Sequence, residues 1–581
     1  MQINRRRFVS GVLGGGAVAA TAPWFPAWAQ PVSPGITAPI PAVLGSDIML
    51  RIARQTLLAD GKPSRAIGIN GTVPAPLVRL KEGQTARLTV VNDLDEDSSI
   101  HWHGLLLPFQ MDGVPGVSFP GIRPRSTFVY EFPVIQSGTY WYHSHSGLQE
   151  QIGHYGPIVI DPEGADPIAY DREHVVVLSD HSRISPEAIF HKLKVDPGHF
   201  NRQRQTLSGL LAGKDQPLRE RIDWGRMRMD PTDVADVNGS TYTFLVNGHG
   251  PRDNWNASAM SIFNVRIPGL RMTVVQADGL NIVPVETDEF QIAVAETYDV
   301  IVTPVEDRAY TLVAEANDRS GMGRATLAPR PGMAAEVPPL RPRPLATMKD
   351  MGMGAMGAMT GGDAACPAEH AAMGHCTPAT DGGAMAGMDH GSGGAMDHSM
   401  RDFDAAPQVR RDPGVQTISP MPVDRMGEPG QGLEDAGHAV LTYKDLVALD
   451  RNPDVRAPER SLDIHLTGNM ERFMWSFDGM KMSDHHEPIP FIEGERVRVN
   501  LINDSMMSHP IHLHGHFFEL VTGKGDRAPR KHTVLVQPGG IATFDFTADA
   551  VGDWAFHCHL LYHMYAGMMR VVSVRPRGES A

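Results

Sequence analysis

The chain has 581 residues, an apolar fraction of 41% and a formal net charge of -15. That length allows three or four compact domains, and the apolar fraction is that of an ordinary soluble chain, neither membrane-embedded nor disordered. The negative charge argues against nucleic acid or an anionic membrane surface as a partner and leaves cations, neutral molecules and metal ions.

At the N-terminus, Asn4-Arg5-Arg6-Arg7-Phe8-Val9 sets paired arginines ahead of an apolar run from Val9 to Ala22, and Ala27-Trp28-Ala29 follows. This layout resembles a twin-arginine secretory signal over residues 1–29, cleaved after Ala29. The run is too short and too rich in Gly and Ala to favour a stable membrane anchor. The expectation is export in a folded state by the twin-arginine machinery into a bacterial periplasm. Downstream, strand-favouring segments bounded by Gly, Pro, Asn and Asp recur, among them Ala86 to Asn92, Tyr298 to Val302 and Arg496 to Ile502. Long helical periodicities are scarce, so the expected class is all-β, built from sandwiches. The only cysteines are Cys366, Cys376 and Cys558, so no disulfide framework holds the fold.

An internal repeat places the chemistry. Glu82-Gly83-Gln84-Thr85-Ala86-Arg87-Leu88-Thr89-Val90-Val91-Asn92-Asp93 aligns with Glu493-Gly494-Glu495-Arg496-Val497-Arg498-Val499-Asn500-Leu501-Ile502-Asn503-Asp504. The first of these segments is followed by His101 and His103, the second at the same distance by His512 and His514. Gly138 to His145 then aligns with Gly552 to His559, adding His143 with His145 and His557 with His559. Residues i and i+2 on a strand face one side, so each pair can aim two imidazoles at one metal cluster. A single His-x-His is weak evidence, since a buried histidine is usually a hydrogen-bonded core residue. Four pairs matched across a duplication are not explained that way. Imidazole suits copper, zinc, iron or nickel, so the histidines alone do not choose the metal.

The differences between the two copies do. His509, Cys558, His563 and Met568 fall where the first copy has Ser98, Ser144, Gln149 and His154. A thiolate, two imidazoles and a thioether are the ligand set of a blue-copper electron-transfer site. Cys558 lies between His557 and His559, so on a strand it faces the blue site while its neighbours face the histidine cluster, giving a covalent electron path. A buried structural thiol, the bland alternative, would not account for the flanking histidines.

At these residues the chain resembles the multicopper oxidases, whose motifs stand here as His101-Trp102-His103-Gly104, His143-Ser144-His145, His509-Pro510-Ile511-His512-Leu513-His514, and His557-Cys558-His559 with His563 and Met568. Asp223-Trp224-Gly225-Arg226-Met227, Met474-Trp475-Ser476-Phe477-Asp478-Gly479 and a methionine-rich insert are similar to the bacterial copper-resistance oxidases of the CopA type. The resemblance implies three cupredoxin-like Greek-key β-sandwiches and four copper ions. His509, Cys558, His563 and Met568 would hold the type 1 ion, and His101 and His512 the type 2 ion. His103, His143 and His559 would hold one type 3 ion, and His145, His514 and His557 the other. It further implies four one-electron oxidations coupled to reduction of dioxygen to water. Asp112 stands where relatives keep an acid near the cluster and is read as a proton relay; its alternative is a turn carboxylate in Met111-Asp112-Gly113. Relatives often carry a glutamate just after the last blue-copper histidine, whereas this chain reads His563-Met564-Tyr565 and offers no acid there. His516 has no ligand role in the pattern and is assigned to packing or ligand support.

From about Thr347 to Met400 the chain is dominated by Gly, Ala, Met, Asp and His. The plain reading is a flexible linker without a core. Thioethers beside imidazoles nevertheless suit copper(I), which points to copper capture by Met351, Met353, Met356, Met359, His370, His375, Met385, Met388, His390, Met396 and His398. Met227, Met229, Met470, Met474, Met480 and Met482 could guide copper(I) to the blue site, with core packing as the alternative. The expected organisation is a first sandwich at 40–165, a second without copper ligands at 166–345, a methionine-rich linker at 346–435 and a third sandwich with the type 1 site at 436–576. The stretch 184–228 reads as an insertion with some helix. The leading function is a monomeric periplasmic oxidase of copper(I) contributing to copper tolerance. The alternatives are a laccase-like oxidase of phenols and aromatic amines, and a copper-sequestering protein.

Overall fold

The computed structural model describes residues 32–33, 40–59, 62–249, 259–353, 400–484 and 487–578. In the first unit the strands are β1 (Asp47–Ala59), β2 (Lys62–Ile69), β3 (Leu77–Lys81), β4 (Thr85–Asn92), β5 (His101–His103), β6 (Thr127–Pro133), β7 (Gly138–His143) and β8 (Tyr155–Asp161). They form one sheet in the order β2-β1-β4-β6 and a second in which Ala42–Leu44 leads into β3-β8-β7-β5. β4 shows why: its alternating Ala86, Leu88 and Val90 are fully buried between the sheets while Thr85 and Arg87 face solvent.

Three helices follow, α1 (Pro186–Val195), a single turn at Leu207–Leu211, and α2 (Leu218–Arg226), within the stretch read as an insertion. Ser185 starts α1 by accepting a hydrogen bond from the Ala188 amide, with Pro186 in the first turn. The second unit contains β9 (Phe263–Arg266), β10 (Met272–Ala277), β11 (Leu280–Thr287), β12 (Glu289–Ile292), β13 (Tyr298–Ile301), β14 (Tyr310–Ala316) and β15 (Met322–Leu327). Its sheets run β15-β14-β9-β12 and β11-β10-β13, and the short strand Val440–Leu441 closes the first of them beside β12.

The third unit has β16 (Arg460–Asn469), β17 (Met474–Phe477), β18 (Ile489–Ile492), β19 (Arg496–Asn503), β20 (His509–Leu513), β21 (Phe518–Leu520), β22 (Thr533–Val536), β23 (Gly540–Thr547), β24 (Gly552–Cys558), helix α3 (Leu561–Ala566) and β25 (Met569–Arg575). The order β17-β16-β19-β23 repeats β2-β1-β4-β6, and β18-β25-β24-β20 repeats β3-β8-β7-β5. The register repeats too: His101 pairs with His143 across β5 and β7, and His512 with His557 across β20 and β24. Even the strand ends match. Asn92 donates its side-chain amide to the carbonyls of Glu96, Ile122 and Arg123, and Asn503 donates to those of Met507, Val536 and Gln537. Each buried asparagine thereby satisfies the loop that leads into a histidine strand.

Residues 400–435 differ from the flexible linker expected of them. Ala406, Val409, Val415 and Ile418 form a small buried cluster. Val423–Asp424 pairs with β23, and the buried Arg425 bridges Asp350 and Glu428. This part contains the aliphatic residues that the Gly and Met-rich part lacks, so it can bury apolar surface and pack.

Candidate metal centre

Eight imidazoles from β5, β7, β20, β24 and the residues that follow them converge at the junction of the first and third units. Cross-strand pairing sets His101 against His143 and His512 against His557, and the i+2 periodicity brings in His103, His145, His514 and His559. Ring centroids of His103 and His512 are 3.8 Å apart, those of His101 and His514 3.9 Å. Nε2 of His101, His143, His145, His512 and His559 and Nδ1 of His103 are buried with no hydrogen-bond partner, and Nε2 of His514 faces Nε2 of His557 at 3.0 Å. An unpartnered buried nitrogen costs on the order of 1–3 kcal/mol, so six together would cancel much of a domain's stability unless a metal took their lone pairs.

The opposite ring edges are held. Nδ1 of His101 donates to the Asp112 carbonyl at 2.7 Å and Nδ1 of His512 to the His532 carbonyl at 2.6 Å, while Nδ1 of His514 lies 3.0 Å from Asp112 Oδ2. Asp112 therefore braces one ligand-type ring from each unit. Its position is set by the turn at Gly113, whose φ of +85° and contact with the Ile100 carbonyl exclude a side chain. Glu150, which sequence reasoning missed, sits buried with Oε2 2.7 Å from His143 Nδ1. Burial, with Asp180 nearby, raises its carboxyl well above the usual range. Burial also pushes the imidazoles of His103, His143, His145, His512, His514 and His559 well below their usual range, assisted by neighbouring histidines, and that of His557 down to about 4. These rings are neutral donors. His516 is buried and donates from Nδ1 to the His514 carbonyl at 3.0 Å, a supporting place.

A second constellation lies inside the third unit. Cys558 Sγ is 3.5 Å from His509 Nδ1 and 3.9 Å from His563 Nδ1, and the two nitrogens are 3.2 Å apart. Met568 is fully buried in the same core, its carbonyl accepting from the Cys558 amide at 3.1 Å. The outer nitrogens are tethered: His509 Nε2 to Ser505 Oγ at 2.8 Å and His563 Nε2 to Asp236 Oδ2 at 2.8 Å. Trp475 stacks on His563 at 3.9 Å. Burial pushes the Cys558 thiol up, so a ligand thiolate forms there only with a cation present. The equivalent place in the first unit is filled by hydrogen bonds. Ser98 Oγ donates to Gln149 Oε1 at 2.8 Å, Ser144 Oγ to the same oxygen at 3.0 Å, and His154 Nδ1 stands 3.5 Å from Ser98.

The donor sets suit copper at both places: a soft thiolate with two imidazoles in one, neutral imidazoles alone in the other. Of the proposed copper-capture residues, Met351 is buried and Met353 partly so, both in a cluster around Trp224 that also contains Met227, Met229, Met348, Met400, Met470 and Met506. Met356, Met359, His370, His375, Met385, Met388, His390, Met396 and His398 lie outside the described residues. Asp236 and His532 were also missed, because each comes from a distant segment with no motif.

Family models described as multicopper oxidase match residues 51–165, 212–331 and 456–578. The chain belongs to the multicopper oxidase family. It is 46% identical to a copper resistance protein A homolog of Pseudomonas syringae pv. tomato, over 98% of this chain and 99% of that one. It is 45% identical to copper resistance protein A of Escherichia coli, over 99% of each chain. In fold it is similar to the laccase of Botrytis aclada, with a TM-score of 0.57 at 19% identity over 94% of this chain and 89% of that one.

Proposed function

We propose that the chain is a periplasmic cuprous oxidase, exported by the twin-arginine route, that couples four one-electron oxidations of copper(I) to reduction of dioxygen to water and so contributes to copper tolerance. His509, Cys558, His563 and Met568 would hold a type 1 copper, and His101 and His512 a type 2 copper. His103, His143 and His559 with His145, His514 and His557 would hold a type 3 pair. Bound copper supplies the one-electron redox steps and the reduction of dioxygen. The protein supplies positions and paths. Cys558 is bonded through the backbone to His557 and His559, which gives an electron a through-bond route between the two places. Asp112, within reach of rings from both units, is the proposed carrier of a proton to the cluster.

The observation that carries copper(I) as substrate is a cleft of about 10 Å³ lined by Asp233, Asp236, Met470, Met507 and Trp475, of which Asp236 and Trp475 touch His563. It is too small for an aromatic ring, and it offers a carboxylate and thioethers, donors for a soft cation. Burial and the neighbouring Asp230 push the Asp233 carboxyl up to about 7, so a cation entering there would displace a proton. The names of the full-length relatives support copper resistance as the context. Oxygen uptake by copper-loaded protein, with its blue absorption established, is to be measured with copper(I) and with a phenol. Copper(I) should be the better reductant by kcat/KM; equal or better use of the phenol would return the function to a laccase-like oxidase.

A further inference from the structure

The loop from His563 to Met568 holds no acid, yet each dioxygen reduced to two waters consumes four protons. Beside His532 and Thr533 lies a buried charged triad from two units. Lys531, with no exposed surface, lies 2.9 Å from Asp278 Oδ1 and 3.2 Å from Glu296 Oε1. Three fully desolvated charges cost several kcal/mol more than an apolar filling of the same space, so stability alone is a poor reason for them.

The triad is one stretch of a longer chain of contacts. At its outer end Tyr443, half-buried in the wall of a cleft of about 40 Å³, donates its hydroxyl to Glu296 Oε1 at 2.6 Å. At its inner end Asp278 Oδ2 accepts from the amides of His532 and Thr533 and lies 3.6 Å from His532 Nδ1. His532 Nδ1 is 3.1 Å from Thr533 Oγ1, and that oxygen is 3.4 Å from both His103 Nε2 and His512 Nδ1. His532 in turn is pressed on Gly104, where φ is +80° and a Cβ would meet the ring at 2.6 Å, which explains the glycine of His101-Trp102-His103-Gly104.

We propose that Glu296, Lys531 and Asp278 form a proton relay that carries protons from the cleft at Tyr443 inward to Asp278, beside the histidine cluster. The proposal rests on the oxygen-reducing reading given above. In each transfer Lys531 gives a proton to Asp278 and takes one from Glu296, so the ammonium is unchanged and one proton has moved inward. Glu296 is refilled from water in the cleft through the Tyr443 hydroxyl, and Asp278, whose Oδ2 faces the backbone amides of His532 and Thr533, holds the proton at the inner end. Two carboxylates sharing one ammonium leave a charge deficit that a further proton fills. Burial, with Asp278 nearby, raises the Glu296 carboxyl against the pull of Lys531, whereas His532 and Lys531 hold the Asp278 carboxyl below the usual range despite its burial. The triad is also faced by the rings of Tyr298 and Tyr443, 4.9 and 5.7 Å from Lys531 Nζ, and by the amides of Thr297 and Ala293, which donate to Asp278 Oδ1 and Glu296 Oε2.

The test uses the full-length, copper-loaded Glu296→Gln and Tyr443→Phe variants, with Glu296→Asp as the conservative control. Bleaching of the blue band by reductant without oxygen should match wild type, while reoxidation by dioxygen slows about tenfold or more, with a changed solvent deuterium effect. Glu296→Asp should recover much of the rate. Independently of turnover, infrared spectra of the copper-free protein should show a buried protonated carboxyl that Glu296→Gln removes. Reoxidation at the wild-type rate and isotope effect, or a Glu296 ionised throughout, overturns the relay. Lower thermal stability or copper content with an unchanged rate per loaded centre also overturns it, in favour of an ion triad that only joins the units. If wild type reduces no dioxygen with any reductant, the oxidase reading fails separately, and the infrared result still decides whether the triad stores a proton.

Discussion

Asp236 from the second unit and His563 from the third meet with Oδ2 2.8 Å from Nε2, so one ring of the proposed type 1 site is anchored by a carboxylate that also borders the thioether cleft. A carboxylate there can orient the ring and attract an approaching cation at once. Asp236→Ala should raise KM for copper(I) about tenfold to a hundredfold. It should change oxidation of a neutral phenol far less. Equal losses for both reductants would reduce Asp236 to a ring anchor.

The methionines around Trp224 lead from the insertion to the same cleft, with Met470 common to both. Replacing Met227, Met229 and Met470 together by leucine keeps apolar volume and removes only thioether sulfur. We expect weaker copper(I) binding by competition with a chromogenic chelator and a several-fold higher KM, with the melting midpoint nearly unchanged. Unaltered copper(I) affinity would assign these methionines to packing.

Cys558→Ser keeps all eight cluster histidines and removes the thiolate. The expected protein binds three copper ions instead of four, lacks blue absorption and does not turn over. A variant that still oxidised substrate at a substantial rate would show that electrons bypass Cys558.

Asp112→Asn retains the backbone carbonyl that accepts from His101 and alters only the side chain facing His514. Turnover should fall about tenfold to a hundredfold, with type 1 reduction unaffected and the pH profile of reoxidation displaced. Full oxygen turnover with an unchanged profile would leave Asp112 as a turn carboxylate.

The copper-free protein should lose stability in acid. The imidazoles of His532 and His557 are held near 4 and that of His154 near 3 by burial, below the value of about 6.5 in an unfolded chain. A folded value below the unfolded one gives stability that is complete above about pH 6.5 and is lost as pH falls toward the folded value, at about 1.4 kcal/mol per pH unit for each group. The melting midpoint of apoprotein should drop steadily from pH 7 to pH 4. Loaded protein should lose less over the same range, because copper occupies the nitrogens of His557 and the other ligand imidazoles, while His154 and His532, which are not ligands, still take protons in both forms. Parallel curves for the two forms would mean that the histidine cluster is not where acid acts.

The sequence by itself determined the duplicated ligand pattern. Two positions apart on a strand means one face, and a repeat means two matching faces; these are local rules, so four His-x-His pairs and the Cys558 group could be read without coordinates. The sandwiches followed from the same periodicity. What tertiary structure alone decided is which distant groups meet those rings. Asp236 reaches His563, Glu150 reaches His143, and Lys531 is enclosed by Asp278 and Glu296. No spacing rule links Asp236 to His563 or Lys531 to Asp278 and Glu296, since those contacts depend on how whole units dock, and Glu150, though in the same unit as His143, sits on a short 3-10 turn that no motif marks. The packing of residues 400–435 was hidden for a related reason: a short irregular segment has no period, and its few aliphatic residues cluster with one another in a segment whose backbone pairs with the third unit. The first unit shows the division most clearly. Its Ser98, Ser144, Gln149 and His154 were legible as missing ligands, but only the fold shows that hydrogen bonds fill the place that corresponds to the proposed type 1 site of the sister unit, as burial of polar groups requires.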